Sequence, residues 1–211
     1  EQKKSKAVQQ LVKQQAFNQA YIKTTELLTK NIENPKLQKI KEIIEYEFTD
    51  DEKIIVFSQY RETIVKICKT LNEIPKVHAK VFVGQLKKLG SGLSQKEQRE
   101  VLDEFKEGKV NVLVSSSVGE EGLDIPEVSA VIFYEPIASA LRKVQRMGRT
   151  ARLKAGRVII LMNKKTIDES YYWAAFYKEK KMYDAINNIK DDLEIKESNL
   201  EKNSKRQKTL F

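Results

Sequence analysis

The sequence predicts an α/β fold in which a parallel sheet is covered by helices on both faces and preceded by a helical segment. Three observations carry this. From Lys53 onward, short apolar runs alternate with stretches whose apolar residues recur at helical spacing, the order that builds βα units. The first run, Ile54-Ile55-Val56-Phe57, is apolar at every position rather than every second one. Both of its faces must therefore be buried, as inside a parallel sheet. Finally, polar and turn-prone segments follow the runs, at the carboxyl ends of the expected strands, where open parallel sheets bind their ligands.

The elements follow in order. Residues 1–34 are polar and rich in Lys and Gln, with scattered apolar positions Val8, Leu11, Val12, Phe17, Tyr21, Leu27 and Leu28. They are expected to be helix without a core of its own, the end of a helical domain or a linker. Asn34-Pro35 marks a boundary, because Pro suits the first turn of a new helix; Leu37, Ile40, Ile43, Ile44 and Phe48 follow at helical spacing. Strands are expected at Lys53–Ser58, His78–Val83, Val110–Ser115, Ser129–Tyr134 and Arg157–Met162. Helices are expected at Arg61–Asn72, Gln95–Glu107, Ala138–Met147 and Ile167–Lys181. The basic, glycine-containing stretch 87–92 reads as a loop. Ser94 reads as the cap of the next helix, with Glu97 completing a capping box. The main domain thus spans 35–181, and 182–211 forms a polar, partly disordered tail in which Asp191 to Ser204 is a frayed helix or disordered.

Composition narrows the function classes. The chain of 211 residues can bury a core, and it has neither a signal-peptide pattern nor an apolar run that spans a bilayer. A lone cysteine, Cys68, excludes an internal disulfide and suits a reducing cytoplasm. With a single His beside it, the usual zinc ligand sets are lacking. The chain opens on Glu rather than Met and is read as a piece of a longer protein. Its net charge of +9 is concentrated: residues 140–181 hold twelve Lys/Arg against three Asp/Glu. A localised basic block points to phosphate, of a nucleotide or of a nucleic-acid backbone.

The block centres on the run Gln145-Arg146-Met147-Gly148-Arg149-Thr150-Ala151-Arg152. If the preceding helix persists to Arg152, then Gln145, Arg149 and Arg152 share one face. Guanidinium forks grouped this way match phosphate oxygens; a solvated basic face is the plainer reading. Upstream, the stretch from Ser115 to Pro126 follows the third strand directly. Its serine hydroxyls and free amides suit a phosphate, Gly122 permits close approach, and Asp124 can accept from a ribose hydroxyl. A tight strand-to-helix turn would look the same. Among weaker features, His78 and Cys68 read as structural. Tyr171-Tyr172-Trp173 with Phe176 and Tyr177 could stack on bases, but aromatics at this spacing are expected to bury against the sheet.

Taken together, these two stretches resemble motifs V and VI of superfamily 2 helicases, with 54–60 resembling motif IV. The phrases Phe82-Val83-Gly84-Gln85, Gly92-Leu93-Ser94-Gln95, Glu120-Glu121-Gly122-Leu123-Asp124 and Phe133-Tyr134-Glu135-Pro136 are similar to the branch of the archaeal Hef helicase and the Fanconi anaemia group M translocase. The resemblance covers about 35–181 and implies a RecA-like C-terminal motor domain, using ATP and Mg2+ and acting on forked or branched DNA. It places Arg149 and Arg152 as arginine fingers and Gln145 as a γ-phosphate sensor. It places Gly122 and Asp124 on the nucleotide side, and Ser116, with Ser58, Gln59, Arg61, Gly84 and Gln85, on the nucleic-acid side. Where the family has Gly two residues after the first finger, this chain has Ala151.

None of the eight glycines opens a Gly-x-x-x-x-Gly-Lys-Ser/Thr phosphate loop. An N-terminal RecA-like domain is therefore the implied partner, holding the metal, and this piece alone is expected to be inactive. RNA is an alternative substrate, since these motifs contact the sugar-phosphate backbone. Gln207, Leu210 and Phe211 resemble the start of a sliding-clamp docking peptide, so a non-catalytic nucleic-acid or clamp-binding module is the reading from another class.

Overall fold

The computed structural model describes residues 5–30, 32–49, 51–84, 92–116, 125–148 and 156–208, with side chains through 190. Its elements run α1 (Lys6–Leu11), α2 (Gln15–Thr29), α3 (Pro35–Glu47), β1 (Ile54–Phe57), α4 (Arg61–Leu71), β2 (Ala79–Phe82), α5 (Gln95–Lys106), β3 (Val112–Ser115), β4 (Ala130–Phe133), α6 (Ala140–Met147), β5 (Arg157–Ile160) and α7 (Ile167–Lys208). Each predicted strand is present, one or two residues shorter at its ends.

The strands form one parallel sheet in the order β2-β3-β1-β4-β5. β1 lies at its centre, with Ile54 opposite Val112 on one side and Ala130 on the other. That placement explains why all four of its residues are buried. Alternate side chains feed two cores. Ile54 and Val56 pack with Leu37, Ile40, Ile44, Ile64, Ile67 and Leu71 from α3 and α4. Ile55 and Phe57 pack on the opposite face with Val101, Leu102 and Phe105 from α5. The sheet therefore carries helices on both faces, the RecA-like arrangement expected.

The predicted caps form. Asn34 accepts from the Lys36 amide at 3.0 Å, ahead of Pro35 in the first turn of α3. Ser94 Oγ accepts from the Glu97 amide, and the Glu97 carboxylate accepts from the Ser94 amide, closing the capping box of α5. Cys68 is buried with its thiol donating to the Ala79 carbonyl. Neither α1 nor α2 buries a residue, as expected of helix with no core of its own.

Two expectations need correction at the C-terminal end. The helix that starts at Ile167 does not stop at Lys181 but continues to Lys208, so most of 182–211 is helical. Nor do the aromatics of that helix bury against the sheet: Trp173, Phe176 and Tyr177 are 48 %, 41 % and 58 % exposed. They stack instead on one another, Trp173 on Phe176 and Tyr177 at centroid separations of 5.7 and 6.2 Å. The cause is which face of α7 finds a neighbour. Ala175 is buried, and Glu179 pairs with Lys143 of α6 at 2.6 Å, which turns the aromatic face outward. Among the described residues, no helix is long and apolar enough to cross a membrane.

Candidate functional site

Because the strands are parallel and in register, their carboxyl ends deliver a row of polar groups to one edge of the sheet. The Ser58 amide donates to the Ser115 carbonyl at 3.0 Å, the Ser116 amide to the Phe82 carbonyl at 3.3 Å, and the Tyr134 amide to the Phe57 carbonyl at 2.9 Å. Gly84, Ser116, Ser58-Gln59 and Tyr134-Glu135 therefore lie side by side. An Arg61 Nη atom donates to the Gly84 carbonyl at 3.2 Å, tying the start of α4 to the segment after β2. Gln59 is exposed; Arg61, Gly84 and Ser116 are half-buried. Polar and cationic side chains in such a row, Gln59, Ser116 and Arg61, suit a sugar-phosphate backbone, which needs hydrogen bonds and positive charge but no nucleophile.

Ser58 behaves differently from its neighbours. It has no exposed surface, and its hydroxyl donates to Glu135 Oε1 at 3.0 Å. The same oxygen accepts the backbone N–H of Gln59, while Gln59 Nε2 reaches the Pro136 carbonyl at 3.4 Å. Ser58 thus holds Glu135 rather than facing outward. Burial pushes the Glu135 carboxyl above its ordinary range; the bonds from Gln59 and Ser58, then the charges of Lys36 and Arg146, offset only part of that. Burial, joined by the charges of Glu135 and Glu33, also pushes the Tyr134 phenol up to about 12.

The arginine run divides. Arg146 is 2 % exposed, with its guanidinium 4.7 Å from the Phe57 ring centroid and 5.7 Å from that of Phe133. It is a buried cation lodged between two aromatic faces. Gln145 is half-buried on the same helix. α6 ends at Met147 with Gly148 as its C-cap, the Gly148 amide donating to the Val144 carbonyl at 2.8 Å. Of the run, α6 itself carries Gln145, Arg146 and Met147. Arg149, Arg152, Gly122, Asp124 and Gln85 lie outside the described residues, as do Leu210 and Phe211; Gln207 falls in the last turn of α7.

Beside the row lies a cavity of about 310 Å³ lined by Gln59, Tyr60, Thr63, Glu135, Asp168 and Tyr171 among others. Its floor holds an ion pair between Lys36 Nζ and Asp168 Oδ2, with side chains only 7 % and 13 % exposed. The Lys36 ammonium also sits 5.7 Å from the Tyr134 ring centroid. Sequence reasoning assigned no role to Glu135, Arg146, Lys36 or Asp168. Glu135 was visible only as part of the Phe-Tyr-Glu-Pro phrase. Nothing local marks Lys36 and Asp168 as partners. No cluster of His, Cys, Asp or Glu fit for a metal occurs among the described residues.

Comparison with known proteins agrees with this geometry. Residues 35–154 match the family described as the helicase conserved C-terminal domain. A putative ATP-dependent RNA helicase of Methanocaldococcus jannaschii is 45% identical over 165 residues, covering 77% of this chain and 21% of that protein. The ATP-dependent DNA helicase mph1 of Neurospora crassa is 43% identical over 137 residues, covering 62% and 12% respectively. The crystal structure of the Pyrococcus furiosus Hef helicase domain superposes with a TM-score of 0.59 at 46% identity, covering 81% of this chain and 34% of that one. The chain spans about a fifth or less of the length of these curated relatives. With its RecA-like sheet and this match over more than half its length, the chain belongs to the superfamily 2 helicase C-terminal domain family, on the Hef and Mph1 branch.

Proposed function

We propose that this chain is the C-terminal motor domain of an ATP-dependent DNA helicase or translocase acting on forked or branched DNA. The observation that carries the reading is the row of Gln59, Gly84 and Ser116 at the strand ends, on the domain whose α6 leads into the arginine run. The first feature suits a phosphodiester backbone and the second the phosphates of a nucleotide. Gln59, Arg61, Gly84, Gln85 and Ser116 would contact the backbone, with Ser58 orienting that turn from within. ATP supplies the free energy of movement. Gly122, Asp124 and Gln145 would hold its sugar and phosphates, and Arg149 and Arg152 would neutralise the charge that develops on its terminal phosphate. The metal and the phosphate loop belong to an N-terminal RecA-like domain, and closure of the two domains would step each along the strand. Support comes from the ATP-dependent DNA helicase mph1 and from the likeness to the Hef helicase domain.

An RNA substrate is the second reading, favoured by the printed name of the M. jannaschii relative. One experiment addresses both. ATPase of the full-length protein is measured with forked DNA and with a matched forked RNA, for wild type and the Arg149→Ala and Arg152→Ala variants. A finger is worth about 10³–10⁵ in rate, so loss on that scale with nucleic-acid binding kept supports the assignment. Unchanged turnover would refute it, and stimulation by RNA alone would exchange the substrate.

A further inference from the structure

We propose that Glu135 is a positioning residue through which α6, the helix leading into the arginine run, sets the Ser58–Gln59 turn. This deepens the motor reading above and rests on it. A single carboxylate oxygen accepts from both consecutive residues of the turn, the Ser58 hydroxyl at 3.0 Å and the Gln59 backbone amide. Ser58 is completely buried, so the turn is held from behind by Glu135 and presents Gln59 outward. The positive charges of Lys36 and then Arg146 act on this carboxylate electrostatically.

Arg146 is gripped by Phe57 and Phe133. Phe57 immediately precedes Ser58, and Phe133 lies two residues before Glu135. A shift of α6 therefore changes both the packing at the ends of β1 and β4 and the field at the carboxylate that fixes the turn. Packed aromatic slots admit discrete positions rather than a continuum. Such a slot is the kind of element that two ligands can both bias: a nucleotide through the residues following α6, and nucleic acid through Gln59.

The test measures coupling in the full-length protein. The dissociation constant of a fluorescent forked DNA is determined with and without saturating non-hydrolysable ATP analogue, and the ratio of the two is the coupling factor. Allosteric couplings commonly amount to about 5–150-fold. Glu135→Gln keeps the size and an acceptor oxygen but removes the charge, and Ser58→Ala removes one bond at the far end. Both are expected to bring the ratio to within about twofold of unity, while a thermal melt shows the fold retained. A role confined to stability would lower the melting temperature, or weaken DNA binding equally in both conditions, and would leave the ratio at its wild-type value. Wild-type coupling that persists in both variants overturns the proposal, and should Glu135→Gln not fold, Ser58→Ala alone decides. A wild-type ratio of one, with DNA-stimulated ATPase intact, leaves nothing for Glu135 to transmit and also overturns it. Absence of both coupling and stimulated ATPase in wild type would instead refute the motor reading.

Discussion

Asp168→Ala should be a strongly destabilising truncation at the floor of the cavity. Lys36 and Asp168 lie 132 residues apart in sequence, yet they meet with side chains 7 % and 13 % exposed. Removing the carboxylate leaves a buried ammonium under the Tyr134 ring with its counter-charge gone. Breaking a buried pair in this way costs about 3–5 kcal/mol. Asp168 Oδ2 also accepts the Asn163 amide at 3.0 Å, a loss of about 1 kcal/mol within that range. At about 2–4 °C per kcal/mol for a chain of this size, the melting temperature should fall by roughly 6–20 °C. The diagnostic comparison is the double variant Lys36→Met/Asp168→Ala. Replacing both ions by apolar groups removes the desolvation cost along with the attraction, so the double variant should regain all but about 1 kcal/mol. Urea and thermal unfolding at pH 7, followed by circular dichroism, measure both. A double variant no more stable than Asp168→Ala alone would refute the reasoning, because the penalty would then not come from a stranded charge.

Two further outcomes test other parts of the structure. Ser94→Ala removes the acceptor of the capping box and should cost about 1 kcal/mol, whereas Ser94→Asp should stay within a few tenths; a thermal melt in which Ala and Asp behave alike would contradict the cap. The raised carboxyl of Glu135 has a definite sign. The folded state binds the proton more tightly than the unfolded one. The contribution of Glu135 to wild-type stability should therefore fall as pH rises from its ordinary value of 4.5 through the higher folded value. Gln at this position cannot titrate, so Glu135→Gln should gain on wild type across that window, read as the difference in urea midpoints. A variant that loses ground as pH rises would reverse the assignment.

The parts of the fold that could be read from sequence were those fixed by local chemistry. The uniformly apolar Ile54–Phe57 required burial on both faces, and its central place between β3 and β4 supplies it. Asn34-Pro35 and Ser94 with Glu97 specify helix starts through their own hydrogen bonds, and the structure contains those bonds. What escaped depends on partners distant in sequence. Arg146 received no role of its own within the basic run, because only the fold brings the Phe57 and Phe133 rings to it. The aromatics of α7 have the spacing of a buried stripe, but periodicity cannot say whether a neighbour lies on that side, and here α6 occupies the other. Ser58 has the residue type of a backbone contact, yet its depth at the strand end commits its hydroxyl to Glu135.

The central position of β1 also bears on how the chain is made. It is the first strand of this sheet to be synthesised, yet both of its partners, β3 and β4, come later than β2 and α5. At about 5–20 residues per second, the Ile-Ile-Val-Phe segment waits roughly 3–15 s on the ribosome before its neighbours are translated. For that interval an apolar strand with two open edges is available to any other nascent chain. Among the described elements, α3 and α4, on either side of it in sequence, can cover it early, and both pack on the same face through Ile54 and Val56. The opposite face, through Ile55 and Phe57, remains without its α5 cover until that helix emerges, so it is the more exposed side of the strand during synthesis.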